Sequence, residues 1–498
     1  MLNLPLGLSL PAEDWERTPL SVQVVVLALW HENQGFKPQV TALEEQMTTL
    51  QAEVERLREQ VNKNSRNSSK PPSSDPPQVR KYSKREKSGR KRGGQKGHPG
   101  KGRKLAPPER VSRVVASKPT SCQQCGALLL GEDPSPRRHQ VSELPRVEPE
   151  VIEYQQHTLT CLVCGAQTGG EWPAEMPSGS FGPRTQAMIG YLGGRFGMSD
   201  RDTQELMEVA FHTDISLGSV PAQERQVSAA LAQPVQEAQE YVRQQAYANV
   251  DETGWRQMDQ RAWLWVAATS LVTVFIVVGT RSAAGLKRLL GESFKGIVGS
   301  DRWSAYRGLD PLHRQLCWAH LKREFQAFID RGGESRIIGN LLLAQVKTMF
   351  ELWHRVRDGT LSRVDFQRRM QPIQAEVKSL LEIGTLLSHR TTRKTCQNIL
   401  SLEPALWTFV AQEGIQPTNA NPAGGTGNAA ERPLRRGVIW RRRSFGTQSE
   451  AGSVFVERIL TTVITLRQQK RDVLDFLTEA CKAKICGDHA PSLLPATA

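Results

Sequence analysis

The sequence predicts a multidomain α+β protein: an N-terminal coiled coil, a cysteine-bearing module, a helical domain, and an α/β core interrupted by a helical insertion. Three observations carry this expectation. The chain has 498 residues, too many for a single ordinary core. Apolar residues recur with a heptad period near the N-terminus. From residue 246 the pattern changes to short β-branched and aromatic runs alternating with helical stretches.

The heptad comes first. Val40, Leu43, Met47, Leu50, Val54, Leu57 and Val61 alternate spacings of three and four, with Glu44, Glu45, Glu53, Glu55, Arg56, Arg58 and Glu59 between them. This is an apolar seam with charged flanks, either a short intermolecular zipper or one amphipathic helix packed on its own domain. The helix should stop at residues 62–64. Residues 1–39 read as a helical lead-in.

A Ser/Pro/Asn-rich stretch, residues 64–75, cannot bury a core and is expected to be extended. A basic tract follows. Between Arg80 and Lys104 there are twelve Lys or Arg against Glu86, a net +11 out of +14 for the whole chain. Arg80, Lys81, Lys84, Arg85, Arg90, Lys91, Arg92, Lys96 and Lys101 belong to it, interspersed with glycines. A flexible cationic arm of this kind binds phosphates by releasing counterions; the alternative is a solvated charge run.

Eight cysteines include two Cys-x-x-Cys-Gly units, Cys122/Cys125 and Cys161/Cys164. No export signal precedes them, so metal suits them better than disulfides. Each spacing lets two thiolates of a turn face one Zn²⁺, and the glycine lets the backbone curl. One structural zinc is expected, with strands drawn from 148–159; four ordinary buried cysteines are the alternative.

Residues 181–245 read as helices, with Ser199 an N-cap and a second helix around 216–231, so that a helix-turn-helix is one reading. No apolar run reaches membrane-spanning length. A polyanionic partner and a cytoplasmic location follow as expectations.

Strands are expected over 246–250, 262–269, 272–278, 296–299 and 314–317, with helices over 282–290, near 302–307 and from Trp318. That order is the order of an RNase H-like fold. Asp251 and Asp301 are expected at strand ends, where α/β sheets gather ligand groups. Carboxylates there suit hard divalent cations, although a strand-end Asp can also merely cap a helix. Residues 335–412 read as helices, Ile337–Met349, Phe350–Arg357, Val364–Met370, Ile373–Ile383 and Cys396–Val410, punctuated at Pro372 and Gly384.

The segments Asn-Val-Asp251-Glu-Thr-Gly-Trp255-Arg, Ser-Asp301-Arg-Trp303-Ser-Ala-Tyr306, Cys317-Trp-Ala-His320, Asn-Ala-Ala-Glu431-Arg432-Pro-Leu-Arg435 and Arg443-Ser-Phe-Gly-Thr-Gln-Ser-Glu450 resemble the transposases of the insertion-sequence-66 family. So do the Ser/Pro linker and the Gly-rich basic tract. The resemblance runs in order from about residue 40 to 480. It implies a D-D-E transposase in which Asp251, Asp301 and Glu431 hold two Mg²⁺ or Mn²⁺ ions, with a zinc module upstream and small accessory proteins encoded by the same element. Glu431 also reads as half of a capping box with Asn428, and Glu450 is the fallback third acid. Arg432, Arg435, Arg441, Arg442 and Arg443 are expected along a DNA backbone. Cys317 and His320 are candidates to steady the site. Trp255 and Trp303 would stack on an unpaired base or pack in the core. Residues 420–427 and Pro433 depart from the family pattern and weaken the expectation of an active copy.

The expected domains are thus 1–63 (lead-in and coiled coil), 64–110 (linker and basic arm), 111–178 (zinc module), 179–245 (helical), 246–334 (first part of the catalytic core), 335–427 (insertion), 428–482 (the Glu-bearing and C-terminal helices) and 483–498 (tail). The expected activity is nicking of double-stranded DNA at element ends followed by strand transfer into a target, by a homo-oligomer joined through the coiled coil. The rivals are a non-catalytic zinc-containing DNA-binding protein and an RNase H-like nuclease that only cleaves.

Overall fold

A computed structural model describes residues 2–4, 7–68, 75, 105–418 and 430–495. The basic-arm residues Arg80 to Lys101, the stretch 420–427 and Asn428 lie outside these. The chain divides into two compact units, one of residues 1–80 with 315–418, the other of residues 81–314 with 419–498.

The chain begins with a short helix α1 (Ala12–Arg17) and a 43-residue helix α2 (Leu20–Asn62). Lead-in and heptad are thus one rod that runs through Pro38 and stops where the asparagines begin. Gln23, buried at the α1/α2 junction, donates to the Trp15 carbonyl at 2.7 Å.

Next come two three-residue strands, β1 (Thr158–Thr160) and β2 (Gln167–Gly169), paired as an antiparallel hairpin. Residues 148–157, expected to supply strands, form none; the segment 111–178 buries almost nothing, so no packing supports a longer ladder. Four helices follow, α3 (Pro183–Tyr191), α4 (Asp200–Phe211), α5 (Ser219–Ala230) and α6 (Ala232–Arg243), with a π-helical turn at Leu192–Phe196. Ser199 caps α4, its hydroxyl accepting from the Asp202 N–H at 3.1 Å.

The central sheet is built from β3 (Tyr247–Gln257), β4 (Gln260–Ala268), β5 (Thr273–Val278), helix α7 (Ala283–Leu290) and β6 (Ile297–Ser300), and the chain leaves it through β7 (Arg314–Leu316). The strand order is β5-β4-β3-β6-β7, with β3, β4 and β5 an antiparallel meander and β6 parallel to β3. β3 is longer than expected. It continues past Asp251 to Gln257 because β4 pairs with it along its whole length. Asp251 therefore sits within a strand rather than at its end. The helical stretch near 302–307 is a single 3₁₀ turn, Ser304–Tyr306.

After α8 (Trp318–Arg331), the expected insertion consists of α9 (Gly333–Arg357), α10 (Arg363–Gly384), α11 (Arg390–Leu400) and two single turns, α12 (Glu403–Leu406) and α13 (Thr408–Ala411). The expected breaks at residue 350 and at Pro372 do not occur. In α10 the buried stripe Phe366, Met370, Ile373, Val377 and Leu380 keeps its phase through the proline. Packing outweighs the one backbone bond that proline removes. Within the same unit Glu59 of α2 pairs with Arg331 at 3.1 Å, and Glu55 with His389 at 3.1 Å.

Three helices finish the chain: α14 (Glu431–Ser444), α15 (Glu450–Gln468) and α16 (Val473–Cys486). α15 lies along the free edge of β5. The Thr465 and Thr461 hydroxyls and the Glu457 carboxylate accept from the N–H groups of Thr273, Phe275 and Val277 at 3.1, 3.0 and 2.7 Å. The match is geometric. Four helical residues rise about 6 Å and two strand residues about 6.6 Å, so every fourth side chain meets every second amide, and the sheet edge is covered.

Candidate metal centre and nucleic-acid face

Side chains alternate across a strand. Ala248 and Val250 of β3 enter the core shared with α6, α7 and α16. Trp255 enters the opposite core, with Leu264, Val266, Ala430, Leu434 and Val456. Asp251 is thus on the face that α14 covers. The parallel pairing of β3 with β6 ends at Asn249↔Gly299, and Asp301 follows directly on the last residue of β6, Ser300. Glu431 is the first residue of α14, next to the fully buried Ala430.

The acids are differently held. Asp251 accepts from the Glu252 N–H at 2.9 Å and Asp301 from the Trp303 N–H at 2.8 Å. Beneath them lies a network that sequence reasoning missed. Glu252, buried on the other face of β3, pairs with Arg281 at 2.9 Å and accepts from the Tyr306 hydroxyl. Burial, and then Asp301, push its carboxyl upward, against the opposing pull of Tyr306 and Arg281. Tyr306 is driven well above the ordinary phenol value by burial and by Glu252, Asp301 and Asp251. Fully buried Arg314 donates to Ser300 Oγ at 3.0 Å, to the Tyr306 carbonyl at 3.1 Å and to the Asp301 carbonyl at 2.5 Å. Burial lowers it to about 10, while Asp301 opposes the fall. The missed signal was the Asp251-Glu252 dipeptide itself: in a strand one of two neighbouring acids faces inward, and a buried acid demands a partner.

α14 is placed by its own apolar positions, Leu434 and Gly437. A Cβ at Gly437 would stand 2.2 Å from Leu264 Cδ2, so only glycine permits this approach to the sheet. Ala430, not Asn428, occupies the N-cap, and the first helical bond runs from the Leu434 N–H to the Ala430 carbonyl. Pro433 is the third helical residue, where no N–H partner is lost, so it does not weaken the helix. Arg441 donates to the Gly254 carbonyl and Arg443 to the Phe196 carbonyl at 3.0 Å. Arg432, Arg435 and Arg442 share this helix.

Trp255 is buried in the core and donates to Thr447 Oγ1 at 3.2 Å, which leaves its ring no open face. Trp303 is partly exposed, with the Arg281 guanidinium 3.8 Å from its ring centroid. Cys317, buried, is the N-cap of α8, and the His320 N–H donates to its carbonyl at 3.0 Å; both belong to the unit that holds the insertion. Glu450 opens α15. Helix α5 packs on α3, α4, α15 and α16, and its exposed positions among the described residues are Arg225, Gln226 and Ala229.

The two Cys-x-x-Cys units fold identically. The Cys122 N–H donates to the Ala127 carbonyl at 2.8 Å and the Gly126 N–H to the Cys122 carbonyl at 2.9 Å; Cys161, Ala166 and Gly165 repeat both bonds at the same lengths. Gly126 and Gly165 adopt φ of 75° and 73°. Backbone amides two and three residues on lower the Cys122 and Cys161 thiols, aided by Cys125 and Cys164. That is the thiolate-favouring turn a zinc ligand pair requires. Among the described residues no three His, Cys, Asp or Glu side chains stand close enough to hold one metal ion, so neither the two cysteine pairs nor the three acids are gathered to a point. No described helix is long and apolar enough to cross a membrane.

Two uncharacterized proteins of Sinorhizobium fredii resemble the chain. One, y4qI, is 26% identical over 247 residues, which cover 44% of this chain and 43% of the relative. The other, y4hP, is 24% identical over 399 residues, 74% of this chain and 71% of the relative. The chain thus spans less than half the length of the first. Residues 12–104 match a family of unknown function, DUF6444. Residues 179–454, more than half of the chain and inclusive of the sheet, the insertion and the Glu431 helix, match the Transposase IS66 family, and the chain belongs to that family.

Proposed function

We propose that the chain is a DNA transposase of a bacterial insertion sequence, with an RNase H-like core that nicks phosphodiesters at element ends and joins the freed 3′-hydroxyl to target DNA. What supports the reading is that Asp251 lies in β3, Asp301 directly follows the neighbouring strand β6, and Glu431 opens the helix that packs on β3. Asp251, Asp301 and Glu431 would hold two Mg²⁺ or Mn²⁺ ions, whose chemistry when bound is to favour the attacking and leaving oxygens of an in-line displacement. Glu252, Arg281, Tyr306 and Arg314 fix the strand and loop that carry the two aspartates. Arg432, Arg435, Arg441 and Arg442 would orient the DNA backbone by charge-assisted contacts, and the basic arm would hold flanking duplex by counterion release.

The four knuckle cysteines would hold one structural zinc. The seam of α2, with Leu43, Leu50 and Leu57 exposed, would join copies of the chain, with small accessory proteins of the element as further partners and the cytoplasm as the setting. The test supplies labelled element ends with Mg²⁺ or Mn²⁺ to the wild type and to Asp251→Asn, Asp301→Asn and Glu431→Gln. Each variant is expected to lose at least about a hundredfold in nicking, the loss that even outer-shell changes at metal sites produce, with DNA affinity retained. Undiminished nicking in all three would refute the assignment. Nicking without joined product would identify a nuclease, and DNA binding without nicking by the wild type a binding protein.

A further inference from the structure

At the tip of the β3–β4 hairpin the sheet and the C-terminal end of α14 enclose a cleft of about 580 Å³. Its chemistry is unusual for a surface hollow. Four arginines line it, Arg256, Arg261, Arg441 and Arg442, with Trp263 and Phe445, and no acidic residue does. Arg256 and Arg261 are direct cross-strand partners, an arrangement of like charges that costs stability. Neither has an ion pair among the described residues. Arg441 is held in place by the Gly254 carbonyl, with Thr253 Oγ1 3.4 Å from the same nitrogen. Gly254 lies opposite Trp263 in the ladder and has no side chain to cover the indole. Phe445 ends α14 at φ 61°, a conformation uncommon for a bulky residue, and the residue is 75% exposed.

Charge repulsion and an exposed aromatic both cost the folded chain something, and both are relieved by one kind of ligand. Guanidinium groups neutralise phosphate in a bidentate manner, and a ring beside them stacks on a base of any sequence. The volume is that of a small-molecule pocket, suited to a nucleotide and too small for a duplex. Along β3, Gly254 and Arg256 lie three and five residues from Asp251, roughly 10 and 17 Å, at positions on the other side of the strand. At about 3.4 Å per stacked nucleotide this equals about three to five nucleotides.

We propose that this cleft holds an unpaired nucleotide of a DNA strand end, its phosphate between the arginines and its base against Phe445 and Trp263. The proposal rests on the transposase reading for the identity of the polyanion, but its test needs no catalysis.

The experiment measures binding, without divalent metal, of a labelled duplex with an unpaired end of about five nucleotides and of the blunt duplex of the same sequence. It uses the full-length wild type, Arg261→Gln and Phe445→Ala, together with thermal unfolding of each. The wild type should prefer the unpaired end by about tenfold to a hundredfold, the worth of one stacked base. Arg261→Gln and Phe445→Ala should abolish that preference while binding the blunt duplex as before. Arg261→Gln should also melt no lower than the wild type, since it removes a repulsion. Equal wild-type affinity for both DNAs, equal weakening on both DNAs in Arg261→Gln, or a lower melting temperature in that variant would each overturn the proposal. A preference for the unpaired end in a protein that never nicks would sink the catalytic reading and leave the cleft's role intact.

Discussion

Two adjacent acids on one strand illustrate how the fold divides labour among residues. Asp251 faces the helix-covered side of the sheet, while Glu252 is buried on the other and held by Arg281 and Tyr306. A second, half-buried carboxyl makes a prediction about pH. Burial raises Glu224 from its ordinary 4.5 to about 8, with Asp200 adding to the rise and Arg225 opposing it. Between those values the folded chain keeps a proton that the unfolded chain has lost, so stability falls as pH rises through the window. Glu224→Gln, neutral throughout, should match the wild type in stability near the low end. Its advantage should then grow by at most about 1.4 kcal/mol per pH unit toward the upper end. Denaturant midpoints at the two ends of the window measure this; parallel pH profiles would rule it out.

Among elements, the contact of α15 with the edge of β5 governs whether the sheet ends cleanly. Thr461 Oγ1 accepts from the buried Phe275 N–H at 3.0 Å. Thr461→Val keeps the shape and removes the acceptor, so it should cost about 1–3 kcal/mol, read from chemical denaturation, whereas Thr461→Ser should recover most of it. Helix α2 poses a different question. Its heptad side chains are exposed along the rod while its far end is tied by Glu55 and Glu59 within its own unit. If the seam joins copies, Leu50→Asn should shift the chain toward monomer in sedimentation, with secondary structure unchanged by circular dichroism. A wild type that sediments as a monomer at every concentration would refute the zipper.

At the scale of the molecule, the segment 111–178 has almost no buried side chains, so its order cannot come from an apolar core. Metal can supply it. Elemental analysis of the purified protein should find about one zinc per chain, and Cys125→Ser should lower the zinc content and increase proteolysis of this segment. Full zinc occupancy in that variant would exclude the four-cysteine site.

The sequence by itself determined the elements and their order: strand and helix periods, the Ser199 cap, the stop of α2 at the asparagines and the twin knuckles are all local properties, written in neighbouring residues. Motif order likewise singled out Asp251, Asp301 and Glu431. Only the tertiary structure decided that Asp251 and Glu252 fall on opposite faces of β3. The full extent of β3 depends on its pairing with β4. The continuity of α10 through Pro372 depends on an apolar stripe finding its partners. The burial of Trp255, the Glu252–Tyr306–Arg314 network and the arginine cleft join residues up to about two hundred positions apart. Such contacts carry no period along the chain, because the energy that selects them is realised only when distant faces meet.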